Sequence, residues 1–104
     1  MAYKYTSLPN KVSFDFNGTQ FTWGDTKSWV LFAGPDLAED EGLVMEVAQE
    51  LKKITAEHKV QWILKCSFDK ANRTSRGSFR GHGQKEGLDI LRKVKAKLNV
   101  PVLT

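Results

Sequence analysis

The residues best suited to chemistry lie in one stretch, Lys65-Cys66-Ser67-Phe68-Asp69-Lys70-Ala71-Asn72-Arg73-Thr74-Ser75, and in its continuation to Gly83. Five cations (Lys65, Lys70, Arg73, Arg76, Arg80) stand there against one anion, Asp69. That local excess equals the formal net charge of +4 for the whole 104-residue chain, since cations and anions balance elsewhere. Ser67, Asn72, Thr74, Ser75 and Ser78 add short neutral donors, with Gly77, Gly81 and Gly83 among them. Lysine, arginine and short hydroxyl or amide donors neutralise and orient phosphate and carboxylate oxygens. The ligand class implied is a small molecule with several anionic oxygens.

Such a segment acts only if rigid elements present it. Val12 to Phe16 and Thr19 to Trp23 both alternate apolar and polar residues around Asn17-Gly18. Asn-Gly in that setting predicts a two-residue hairpin, with Phe14 opposite Phe21 and Val12 opposite Trp23. Trp29 to Ala33 is a short apolar run before Gly34-Pro35, as expected of a strand buried on both faces. From Asp40 to Glu57 the spacing becomes helical, with Leu43, Val47, Leu51 and Ile54 expected on the inner face and Asp40 as N-cap. Val60 to Leu64 is a second strand, which delivers the chain into the basic segment. A second helix is expected from about Lys85 to Leu98, with Leu88, Leu91, Val94 and Leu98 inward and Asn99 in its last turn. Pro101 to Thr104 opens a third strand. The fold class is therefore α/β, a β-hairpin followed by β-α-β-α-β with parallel pairing. In such folds ligands bind at the C-terminal ends of strands. Gly34-Pro35-Asp36 and the basic segment each directly follow one.

Composition excludes several classes. The charge excess lies in a loop-like stretch rather than along a helix face, which argues against nucleic acid as a partner. No apolar run approaches the roughly 18 residues of a membrane span, and the N-terminus lacks the apolar core of a secretion signal. A lone cysteine, Cys66, allows no internal disulfide. The expected setting is cytoplasmic, with no membrane partner.

The run from Lys65 to Ser75, followed by Ser78-Phe79-Arg80-Gly81-His82-Gly83, resembles 3-deoxy-D-manno-octulosonate 8-phosphate synthases. The likeness extends from about Trp29 to Thr104 and takes in Ala33-Gly34-Pro35 and Glu86-Gly87-Leu88. It implies a (β/α)8 TIM barrel with an N-terminal hairpin as its bottom plug. Residues 1–28 would be the hairpin-bearing extension and 29–104 the first barrel units of a single, partial domain. The implied reaction condenses phosphoenolpyruvate with D-arabinose 5-phosphate and releases phosphate, a step of lipopolysaccharide-sugar biosynthesis. By position, Lys65, Ser67 and Lys70 would surround phosphoenolpyruvate, with Lys65 and Lys70 in the catalytic role and Lys70 also near the reacting aldehyde. Asn72, Arg73 and Thr74 would hold the sugar phosphate. The sister family of 3-deoxy-D-arabino-heptulosonate 7-phosphate synthases has a shorter Lys-Pro-Arg-Thr motif where this chain has Lys70-Ala71-Asn72-Arg73-Thr74, so the octulosonate reading is favoured.

The resemblance leaves metal use open. After Gly-Pro its metal-dependent members carry cysteine and the others asparagine, whereas this chain has Asp36. A carboxylate there is a candidate ligand for a divalent metal, or else a turn or cap residue. No other cofactor is expected. The family's remaining ligands and cations lie beyond the position of Thr104, so the chain by itself is expected to be inactive. Its partners would be small phosphorylated substrates together with copies of itself (a tetramer in the family) or a complementing C-terminal barrel half. Two alternatives of another class are a non-catalytic phosphate-ester binding module and an assembly piece pairing through sheet edges. Simpler roles are expected for other residues: Cys66 as a buried small hydrophobe, His58 as a helix cap, His82 as part of a turn, and Trp23 and Trp29 as core. Arg92, Lys93, Lys95 and Lys97 read as the solvated face of the second helix.

Overall fold

The computed structural model describes residues 11–24, 27–69 and 81–104. Two strands, β1 (Val12–Phe16) and β2 (Thr19–Trp23), form an antiparallel hairpin. Its register is the expected one, Phe14 facing Phe21 and Val12 facing Trp23. Asn17 and Gly18 both have positive φ, +49° and +88°, as a primed turn requires.

Three parallel strands follow: β3 (Val30–Ala33), β4 (Gln61–Lys65) and β5 (Val102–Leu103), in the order β3-β4-β5. Helix α1 (Glu41–Glu57) connects the first pair and α2 (Gln84–Leu98) the second. Strand order follows chain order, and both helices contribute to one core against one face of the sheet. A doubly wound sheet would instead reverse its order and carry helices on both faces.

The core joins Trp62, Leu64 and Cys66 of the β4 region to Val44 and Ala48 of α1 and to Leu91, Val94 and Leu98 of α2. The second helix buries the expected stripe, with Leu88 only half-buried. The first helix does not. It turns Val44, Ala48 and Thr55 inward, while Leu43 and Ile54 remain 44% and 47% exposed. The large Trp62 and Leu64 side chains fill the space between the layers, so the helix approaches through its smaller residues. Thr55 is tolerated inside because its hydroxyl donates to the Leu51 carbonyl at 2.7 Å.

Strand β3 also departs from expectation. Among the described residues it is an edge strand, so it is not buried on both faces: Phe32 is 40% exposed and Trp29, expected in the core, is 61% exposed. The central strand β4 holds the buried run Trp62-Ile63-Leu64. Helix ends follow the sequence closely. The Asp40 carboxylate accepts from the Leu43 amide at 3.0 Å, His58 caps α1 through its backbone, and Asn99 ends α2 in the left-handed region at φ +54°.

The hairpin lies at the N-terminal end of the sheet. The Gln61 side-chain amide donates to the Gln20 carbonyl at 2.7 Å and accepts from the Thr22 amide at 3.4 Å. Trp23 meets Phe32 edge-on with ring centres 5.5 Å apart, and Lys95 stands 5.7 Å over the Phe16 ring.

Candidate functional site

Side-chain alternation on the parallel strands separates two faces. Trp62, Leu64 and Cys66 join the helix-side core, and the intervening Ile63 and Lys65 fall on the other face. Lys65 is the last residue of the central strand, so its exposed side chain stands at the sheet's C-terminal end. A cleft of about 210 Å³ opens there, lined by Phe32, Gly34, Pro35, Asp36, Lys65 and Ser67 among others.

The segments beyond the strands continue to pair. Leu37 bridges Ser67 in parallel fashion. The Ser67 amide donates to the Asp36 carbonyl at 3.3 Å, and the Ala38 amide donates to the Ser67 carbonyl at 2.9 Å. The Cys66 amide donates to the Leu103 carbonyl at 3.0 Å, and the Phe68 amide to the Thr104 hydroxyl at 3.2 Å. The ends of all three strands are therefore tied together around Ser67. Leu37 and Ala38 are buried beneath this layer, which fixes the Asp36 backbone although its residue is exposed.

Gly34 permits the tight approach of the first two strands. A methyl group at that position would collide with the Lys65 carbonyl oxygen and come within 2.8 Å of the Leu64 side chain. Any side chain there would push the cleft's two walls apart.

Of the residues singled out from sequence, Lys65, Ser67 and Asp36 are brought together on this cleft. Lys70, Asn72, Arg73 and Thr74 lie outside the described residues. The segment carrying them departs after Phe68 and Asp69 and returns at Gly81. Its two ends are close: a methyl at Gly81 would strike the Phe68 carbonyl oxygen, and one at Gly87 would come within 2.7 Å of the Phe68 Cβ. Phe68 is thus a post gripped by both glycines, a role for which sequence reasoning assigned it nothing. The signal was present in the spacing of Gly81 and Gly87, but its meaning depends on the return of α2 against β4.

The polar groups bordering the cleft are the Lys65 ammonium, the Ser67 hydroxyl and the Asp36 carboxylate. Among the described residues no group of three or more His, Cys, Asp or Glu side chains gathers to hold a metal ion. Asp36 is therefore not part of such a set there. Cys66 is fully buried, in keeping with a packing role. Arg92, Lys93, Lys95 and Lys97 are exposed along α2, as expected. No helix among the described residues is long and apolar enough to cross a membrane.

Comparison with known proteins bears on what this cleft serves. The model of the DAHP synthetase I family matches residues 9–104. A 2-dehydro-3-deoxyphosphooctonate aldolase of Synechococcus sp. is 48% identical over 87 residues, covering 84% of this chain and 31% of that protein. The protein of the same name from Vesicomyosocius okutanii is 51% identical over 84 residues, 81% of this chain and 30% of its own length. That from Coxiella burnetii is 55% identical over 74 residues, 71% of this chain and 26% of its own. The chain spans less than a third of the length of these relatives.

Proposed function

The chain belongs to the DAHP synthetase I family, and from that premise we propose that it forms part of a 3-deoxy-D-manno-octulosonate 8-phosphate synthase, the activity also named 2-dehydro-3-deoxyphosphooctonate aldolase. The reaction joins phosphoenolpyruvate to D-arabinose 5-phosphate. The observation that carries the reading is the run Lys65 to Ser75, which leaves the C-terminal end of the central strand with Lys65 and Ser67 already lining a cleft. The parallel sheet, its helices on one face and the hairpin at its N-terminal end are compatible with the first units of a (β/α)8 barrel and its plug. Residues 1–28 and 29–104 would supply these two parts of one partial domain.

In the reaction, the vinyl carbon of phosphoenolpyruvate forms a bond to the sugar aldehyde carbon, whose oxygen takes up a proton. Water adds to the neighbouring carbon, and phosphate leaves from it. The Lys65 ammonium and Ser67 hydroxyl hold the anionic oxygens of phosphoenolpyruvate. Lys70 is assigned beside it, where a cation stabilises the charge that develops on the aldehyde oxygen. Asn72, Arg73 and Thr74 are assigned to the sugar phosphate. Clustered cations offset the repulsion between two polyanionic reactants and help hold them at reacting distance. The working unit is proposed to be a cytoplasmic homo-oligomer or this chain completed by further barrel strands.

Phosphate release from phosphoenolpyruvate and arabinose 5-phosphate, measured with the chain alone and with the remaining barrel portion supplied, tests the proposal. Activity only in the completed assembly is the expected result. There, Arg73→Ala should raise KM for the sugar phosphate by about 10-fold or more, the worth of a charge-assisted phosphate contact. An unchanged KM would remove Arg73 from the sugar-phosphate site. A four-carbon aldose phosphate turning over faster than arabinose 5-phosphate would favour the seven-carbon product of the sister family.

A further inference from the structure

His82, near the same end of the sheet, has no part in the proposed reaction. Its Nε2 is hydrogen-bonded to the Glu39 backbone carbonyl, and its Nδ1 lies 3.7 Å from a Glu86 carboxylate oxygen. The ring thus spans two elements that nothing in the sequence links. Glu39 belongs to the connection after β3, whose Asp36 to Ala38 portion pairs with Ser67 and walls the cleft. Glu86 lies in the first turn of α2, directly after the returning end of the basic segment.

We propose that His82 is a positioning residue, a clasp that joins the β3–α1 connection to the start of α2 and so fixes where the basic segment re-enters the fold beside the cleft. The backbone around it is shaped for this. Gly81 and Gly83 flank the ring with φ of +124° and +97°, conformations that any other residue would adopt only with strain. Gly83 is the N-cap of α2 and supplies no side-chain hydrogen bond, so the entry of that helix gains its lateral tie from His82 instead.

A carbonyl oxygen only accepts, so Nε2 carries a hydrogen and donates to Glu39. Glu86 stands on the Nδ1 side of the ring. Of the other charged groups nearby, Lys93 is engaged by Glu41 at 3.4 Å and Asp89 by Arg92 at 3.0 Å.

The inference that the clasp serves substrate binding rests on the proposed reaction; the clasp itself does not. Hydrogen exchange of the chain as it stands is measured over residues 36–42 and 81–88. His82→Ala should exchange about 3-fold faster or more in both segments, with the Val12–Trp23 hairpin unchanged. His82→Gln keeps an amide donor for Glu39 and should restore protection towards wild type in both segments. Wild-type protection in His82→Ala, or exchange in His82→Gln as fast as in His82→Ala, overturns the clasp. If His82→Ala loosens the hairpin as well, the glutamine variant alone decides. In the completed assembly, His82→Ala should raise KM for the sugar phosphate by about 10-fold with kcat changed much less, as expected of lost positioning. Absence of turnover by the wild-type assembly would refute the reaction and leave the exchange result to judge the clasp.

Discussion

At the N-terminal end of the parallel sheet, Phe14, Phe16, Trp23, Phe32 and Ile63 border an apolar cavity of about 610 Å³ beneath the hairpin. At the C-terminal end, Lys65, Ser67 and Asp36 border a cleft of about 210 Å³ whose walls are held by backbone hydrogen bonds. Both ends are built on the same strands, and Phe32 reaches both. What differs is the means of attachment. Below, aromatic area and a side-chain amide fasten the hairpin, so large residues supply the stability. Above, carbonyls and amides fix the frame beneath the polar side chains. An element fastened through its backbone can change its side chains for function at little cost to the fold.

This contrast predicts opposite phenotypes, the largest at the upper end. Lys65→Ala in the completed assembly should lower kcat/KM by about 10²-fold, the worth of a charge-assisted contact to phosphoenolpyruvate. Because Lys65 is exposed, the thermal midpoint should stay within about 1 °C, since surface changes of this kind have small effects on stability. A melt that collapses together with activity would break the comparison. At the lower end Phe21, 7% exposed and stacked on Phe14 at 5.1 Å, should behave in reverse. Phe21→Ala is expected to cost about 3 kcal/mol in denaturant unfolding while leaving the KM values of the folded fraction unchanged.

A smaller effect is expected at the boundary between the two behaviours. Asp40→Ala removes the acceptor for the Leu43 amide and should destabilise by about 1 kcal/mol, the ordinary worth of an N-cap. Asp40 starts α1 just after the connection that walls the cleft, so a rise in KM for phosphoenolpyruvate beyond about 3-fold would mean that the cap also serves the site. Smallest of all, Gln61→Ala, which frees two exposed or half-buried hydrogen bonds to the hairpin, should cost roughly 1 kcal/mol and leave kcat unaltered. An effect on turnover from so far below would show that the two ends are coupled.

The elements of this fold are largely legible in the sequence because each has a local cause. Asn17-Gly18 dictates the hairpin turn, Asp40 and Asn99 mark helix ends, and the stripe of Leu91, Val94 and Leu98 fixes the inner face of α2. The inner face of α1 was only partly legible: of the expected stripe Leu43, Val47, Leu51 and Ile54, Leu51 packs against the core, while Leu43 and Ile54 are exposed. Period alone does not choose between neighbouring stripes; the residues of the other elements in the same core, Trp62 and Leu64 among them, decide which one Val44 and Ala48 join. Trp29 was misplaced for a similar reason, because an apolar run does not reveal whether its strand has a neighbour on each side. That Lys65, Ser67 and Asp36 share one end of the sheet could be expected from their positions after strands, and they line one cleft there. The tie from His82 to Glu39 could not, because it links residues 43 apart through a backbone carbonyl that no side-chain pattern encodes.

The grip of Gly81 and Gly87 on Phe68 has one more consequence, which concerns distance rather than charge. A side chain at Gly81 would meet the Phe68 carbonyl oxygen and one at Gly87 the Phe68 Cβ. The start of α2 can therefore stand this near the end of β4 only while both positions lack a side chain, and the spacing between the two elements is written into two hydrogen atoms.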